Sequence, residues 1–275
     1  TDRAARMMQH IVQDRRLVET PSLVVNKAGG GGALAFTYVA QRRGDAHFLV
    51  VTYPSLLSNH IVGTSTLSHN DFTPLAQLSN EYVGFAVRAD SRIASARDLL
   101  DRLRKDPQSV VFATFALGSP THIALVPIMR AAGVDVRKLK VVVYPSGGES
   151  MTALLGGHVD LLPSGAANLV APLQDGRIRV IAITAPKRLG GVYAQVPTWK
   201  ESGVDAVLGY WRGLIGPRGL TPAQIASWDD VFAHLGRTDE WKKELERNTA
   251  ENDYLNSRDA KLFLDREYDE MKHIL

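Results

Sequence analysis

The chain has 275 residues and a mass of 30.1 kDa, long enough for one large domain or two lobes of ~100–150 residues each. At 45% hydrophobic and 22% charged residues its composition is that of an ordinary globular protein, and no apolar run approaches the ~18 residues of a membrane span. A formal charge of +3 without any long Lys/Arg block argues against a nucleic-acid partner, and zero cysteines exclude disulfides, thiolate catalysis and a cysteine metal site.

Residues 4–16 alternate apolar and basic side chains at helical spacing, with Thr1 or Asp2 suited to the N-cap. The start at Thr1-Asp2, without Met, reads as a processed or trimmed mature form. Leu23-Val24-Val25 predicts a strand, 26–32 a glycine loop and 33–42 a helix. A buried strand at 48–52 runs into Tyr53-Pro54-Ser55, and 83–87 predicts another. Ser95 then caps a helix over 96–104. At Val110 the pattern restarts with a strand at 110–113, a loop to Pro120 and a helix over 121–132.

The stretch 141–165 is the one around which the chain is organised. The β-branched run Val141-Val142-Val143 predicts a strand, and Pro145-Ser146-Gly147-Gly148 a break where a helix begins. A short helix at 150–155 stops at Gly156-Gly157, a strand at 159–162 follows, and then a small-residue loop from Pro163 through Ser164-Gly165. Such α/β units bind ligands at loops that follow strands, where helix N-termini offer free N–H groups to anions. The remaining chain predicts a helix at 167–174, a strand at 179–183, and helices at 222–235, 239–248 and 259–273. The restart near Val110 and the helical return after Trp211 suggest an α/β fold of two lobes.

Several residues carry candidate chemistry. Gly29 to Ala35 contains a G-x-G-x-x-A match, but the strand after it ends at Thr52-Tyr53-Pro54 without the carboxylate a dinucleotide site needs. A tight structural turn fits that loop better. Ser119 or Thr121 can cap the helix that carries His122, making a ligand clamp or a plain cap. No G-x-S-x-G elbow is present, and His60, His69 and His158 lack metal-ligand spacing. The hydroxyls of Tyr53, Ser55 and Tyr82 lie at or near strand ends, where they either contact a ligand or pack. Arg212 either pairs with a carboxylate through its guanidinium fork or braces the chain as it crosses back.

The stretch GGESMTALLGGHVDLLPSG at 147–165 resembles the substrate-binding proteins of tripartite tricarboxylate transporters, the TctC or Bug family. Matching pieces recur in order: TDRAAR at 1–6, NKAGGGGA at 26–33, DFTP at 71–74, VRADS at 87–91 and GSPTH at 118–122. DGRIRVIA at 175–182, VPT at 196–198 and YWRGL at 210–214 complete the series. The resemblance implies the two-lobed type II periplasmic binding fold, each lobe a mixed sheet flanked by helices. Lobe 1 would comprise 1–103 plus 213–275 and lobe 2 104–212, with the ligand cleft between them. It also implies a first strand and a Gly-Gly loop ahead of the first helix, which this sequence does not contain.

In the family a ligand carboxylate is held by backbone groups and small hydroxyls. Carried over, these point to Thr1, Asp2, Ser119, Thr121, His122, Gly147, Gly148, Ser164 and Gly165. Where many members have Asp-Asn this chain has Ser164-Gly165, which disfavours amino-acid ligands; Gly147-Gly148-Glu149 and Trp211-Arg212-Gly213 look more like the citrate-binding branch. The expected function is a monomeric periplasmic receptor, without cofactor or metal. It would carry a small di- or tricarboxylate to the membrane components of such a transporter. The alternative is an α/β hydrolase or transferase acting on a small anion; against it stands the lack of any complete acid/base, nucleophile or metal constellation.

Overall fold

The computed structural model describes residues 2–27, 29–114 and 120–275. The first elements are α1 (Asp2–Asp14), α2 (Ala33–Ala40), β1 (Val50–Thr52), α3 (Ser55–Ile61), β2 (Phe72–Arg88) and α4 (Ala96–Lys105). The middle of the chain forms β3 (Val111–Thr114), α5 (Pro120–Ile123), α6 (Leu125–Ala131), β4 (Lys140–Val143), α7 (Gly147–Leu155), β5 (Leu162–Gly165), α8 (Ala166–Gln174) and β6 (Ile178–Ile183). The last part forms β7 (Gly209–Pro217), α9 (Pro222–Arg237), α10 (Asp239–Arg247), β8 (Glu251–Leu255) and α11 (Ser257–Ile274). Capping chemistry sets several helix starts. Ser95 accepts from Asp98 N at α4, and Thr221 and Gln224 form a reciprocal capping box at α9, with Pro222 in its first turn.

Two compact units result, one of Thr1–Asn80 with Trp211–Leu275 and one of Glu81–Tyr210. In the first unit the order is β1-β7-β2, with β8 also paired to β2. β1 and β7 are antiparallel, with Thr52 opposite Gly213. Side chains leave this sheet alternately. Leu214 joins Leu75 and Leu78 against α1, α9 and α10, while Trp211 and Ile215 join Phe36, Leu57 and Leu264 against α2, α3 and α11. The sheet is thus covered by helices on both faces.

In the second unit the far half of β2 lies between β5 and β6, both antiparallel to it. β3 and β4 run parallel, and a parallel bridge from Phe112 to Leu161 ties them to β5. Phe85 and Trp199 meet edge-to-face at 4.8 Å on one side, in a core shared with Leu99, Leu103 and Phe112. On the other side Leu154, Leu169 and Tyr193 pack together. There α8 approaches β2 so closely that a Cβ on Gly84 would lie 2.7 Å from Leu169 Cδ1.

Some expectations need correction. The chain passes between units inside β2 and inside β7, not at residues 103 and 212. Leu103 is buried beside Phe85 and Phe112, so α4 belongs to the second unit, whereas Arg212 lies in the first. Leu23-Val24-Val25 forms no strand. No described strand pairs with it, Leu23 is 83% exposed, and the carbonyl of Ser22 accepts from Gln9 and Gln13 of α1 instead. Ser164 and Gly165 lie not in a loop but in β5, opposite Gly84 and Val83, and Gly147 and Gly148 open α7.

Candidate functional site

In the first unit the candidate groups gather around a glycine turn. Gly29, Gly30, Gly31 and Gly32 have φ of +133°, +56°, +62° and +98°, a run that only glycine adopts without strain. The turn sends its carbonyls to side chains. Tyr53 Oη donates to Gly31 O at 3.0 Å, and Asn59 Nδ2 donates to Gly30 O at 3.1 Å. Gly32 is also demanded by space, since a Cβ there would sit 2.6 Å from Tyr53 Oη.

Tyr53 is the hub of this cluster. Burial pushes its phenol pKa up, while the positive charge of Arg212 and a hydrogen bond with Ser55 act in the opposite direction. The strand end of β1 and the start of α3 therefore bring Tyr53 and Ser55 together, and β7 supplies Arg212 beside them. The residue before Arg212 is firmly anchored. Trp211 is 1% exposed, meets Phe263 edge-to-face at 5.6 Å, and donates through Nε1 to Glu267 at 3.3 Å. A guanidinium, a phenol and a hydroxyl in one place can receive a carboxylate through charge-assisted hydrogen bonds.

Asp2 stands slightly apart. Its carboxylate accepts from Arg6 Nε at 3.0 Å and from Asn26 Nδ2 at 2.7 Å, bonds that hold it below the usual carboxylate range. It ties the start of α1 to the chain entering the glycine turn. Thr1 lies outside the described residues.

In the second unit the candidates converge by topology. β4, β3 and β5 run parallel, and each leads at its C-terminal end towards a helix, namely α7, α5 and α8. That edge is where open α/β sheets bind ligands. It carries Thr121, 8% exposed, and half-buried His122, whose imidazole burial holds below its ordinary pKa and hence neutral at pH 7. At α7, Ser146 caps the helix by accepting from Glu149 N at 3.2 Å. A Cβ on Gly147 would meet no atom within 4 Å, so the space beside the start of that helix is open. Gly165 precedes α8 and gives it no side-chain cap, while Tyr193 Oη donates to Ala166 O at 2.5 Å.

Other residues fall differently. Tyr82 is 4% exposed, its ring packed with Ala86, Ala113 and Leu162 in the core. Ser119 lies outside the described residues. Asn59 was missed by sequence reasoning because α3 has no marked helical pattern. Among the described residues no group of His, Asp and Glu could hold a metal ion, and no helix is long and apolar enough to cross a membrane.

Residues 5–275 match the sequence profile of the family described as "Tripartite tricarboxylate transporter family receptor". A Cupriavidus necator relative, "UPF0065 protein in gbd 5′ region", is 25% identical over 244 residues, which are 88% of this chain and 73% of that protein. The chain spans between 58% and 73% of the length of the curated relatives it matches. Among solved structures, Rpa4515 of R. palustris with adipate has a TM-score of 0.86 at 23% identity, covering 100% of this chain and 91% of that one. MatC of Rhodopseudomonas palustris with bound malate has a TM-score of 0.80 at 23% identity, covering 99% and 93%. These likenesses give the chain the two-lobed fold of periplasmic binding proteins. With its profile match across nearly every residue, the chain belongs to the tripartite tricarboxylate transporter receptor family, whose members are solute-binding proteins of the periplasm and not enzymes.

Proposed function

We propose that this receptor captures a small di- or tricarboxylate, citrate-like in size and charge, and delivers it to the membrane components of a tripartite tricarboxylate transporter. The observation that carries the reading is the placing of Arg212 beside Tyr53 and Ser55 at the glycine turn. One fixed positive charge among hydroxyls suits a carboxylate better than a sugar, whose sites are built on stacking rings. On this reading the amides and hydroxyls at the sheet edge of the second unit are also candidates for carboxylate recognition: Thr121, His122, Gly147, Gly148, Ser164 and Gly165. Ser119, Asp2 and Thr1 complete the set inherited from the family resemblance. Tyr82 serves as packing beneath it.

Two related structures contain dicarboxylates, malate in one and adipate in the other, which supports the same class of ligand here. The receptor acts as a monomer in the periplasm. Thermal-shift screening of malate, succinate, adipate, citrate and tricarballylate tests the reading, since a ligand at 100 times its Kd adds ~2.7 kcal/mol. Arg212→Gln should then weaken the best ligand at least tenfold by calorimetry, consistent with one lost charge-assisted contact worth about 1.5–3 kcal/mol. A panel in which no carboxylate raises the Tm refutes the ligand class. An unchanged affinity in a folded Arg212→Gln variant removes the first-unit cluster from the site.

A further inference from the structure

Beside the strands that present Tyr53 and Arg212, the first unit contains a small, partly open pocket of about 10 Å³. Its walls include Thr52, Gln77, Trp211, Gly213, Phe263 and Leu264. Two of these residues are buried and polar, and each leaves an oxygen without a protein partner: Thr52 Oγ1 and Gln77 Oε1. The amide of Gln77 cannot turn to help, because its Nε2 is committed to Asp253 Oδ2 at 2.5 Å. Thr52 stands opposite Gly213 in the β1–β7 ladder. Gly213 brings no side chain into this level of the sheet, and a Cβ there would lie 2.5 Å from Ala76 O.

We propose that this cavity is a binding site for one ordered water, bridging Thr52 Oγ1 and Gln77 Oε1. Its volume matches a single water, for which roughly 10–15 Å³ of such space is enough. A hydroxyl and an amide oxygen provide complementary partners, one able to donate or accept and the other accepting. Left dry, the two oxygens would each bear the cost of burial without a hydrogen bond, which native interiors seldom tolerate. The water belongs to the frame of the site and not to the ligand's contacts, so this inference stands apart from the carboxylate reading. It links β1 to β2 across Gly213 of β7, one residue before Tyr53 in β1's direction and one residue from Arg212 in β7.

Thr52→Val separates the wet cavity from the dry one by the sign of its effect. The substitution keeps the shape and removes the hydroxyl. With a bridging water, it strips the water of a partner, and the Tm of the receptor should fall. In a dry cavity the same change deletes an unpaired buried hydroxyl, and the Tm should rise or stay level, which would overturn the proposal. Nuclear Overhauser transfer from water to the Gln77 side-chain amide protons in the unaltered protein provides the second readout. A cross-peak from a long-lived water is expected there, and its disappearance in Thr52→Val is the expected loss. A Gln77 amide without that cross-peak in the unaltered protein overturns the proposal as well.

Discussion

Glu267 offers a sharp test of how the first unit holds Trp211. It lies on α11, accepts from Trp211 Nε1 at 3.3 Å, and is pushed up to about 7 from 4.5, first by burial and then by the charge of Glu270. The Trp211 hydrogen bond and Arg266 oppose that rise without cancelling it. Between pH 4.5 and about 7 the folded protein therefore holds a proton that the unfolded chain has released. Stability must fall as pH rises through this window. At ~1.36 kcal/mol for each pKa unit the full effect is roughly 3 kcal/mol, trimmed to about 2–3 kcal/mol by the side chain's partial exposure. Glu267→Gln keeps the acceptor for Trp211 and abolishes the titration. Urea unfolding at pH 5, 6, 7 and 8 should show the variant gaining on the native chain as pH rises and levelling off above pH 7. A stability difference that stays constant from pH 5 to pH 8 would refute the reasoning.

Two further predictions follow from the same unit. Gly32→Ala places a Cβ 2.6 Å from Tyr53 Oη at a φ of +98°; it should cost about 2–3 kcal/mol of stability by calorimetry, and adding Tyr53→Phe should recover part of that loss. His69 is buried, pairs through Nε2 with Asp265 at 2.9 Å, and has its pKa lowered by burial although Asp265 acts to raise it. Its contribution is present above pH 6.5 and is lost as pH falls through its depressed pKa. His69→Gln should consequently flatten the acid side of the stability profile, and an unchanged slope below pH 6.5 would count against this account.

Legibility of the fold in the sequence followed local chemistry. α4, α9 and α11 were evident because caps and 3.6-residue periodicity agree. β2 was seen only over its last part. Gln77, Ser79 and Asn80 interrupt the apolar pattern, yet Gln77 is buried because Asp253 of β8 pairs with it, a partner far away in sequence. β8 itself, Glu251–Leu255, carries two charges and was not visible as a strand. Ser164 and Gly165 looked like a loop because their strand character comes from pairing with Gly84 and Val83. In the site, Tyr53, Ser55 and Arg212 were each readable from their places beside strands, but their gathering at one turn was not. Asn59 gave no signal at all. The burial of Tyr82 also depends on neighbours that the local sequence does not name.

The two passages of the chain between units lie within the strands β2 and β7, and that has a consequence for recombination among receptors of this family. Grafting residues 81–210 from another member is a natural way to exchange ligand preference. Neither junction is a free linker, however. Side chains in a strand alternate between faces, so an insertion or deletion of one residue at either seam would turn the rest of that strand inside out. In β2 this would drive Val83, Phe85 and Val87 out of one core while leaving Leu75 and Leu78 in theirs. Viable chimeras should be those whose seams keep an even count in both strands, and library sequencing after selection for folded receptor would reveal that parity directly.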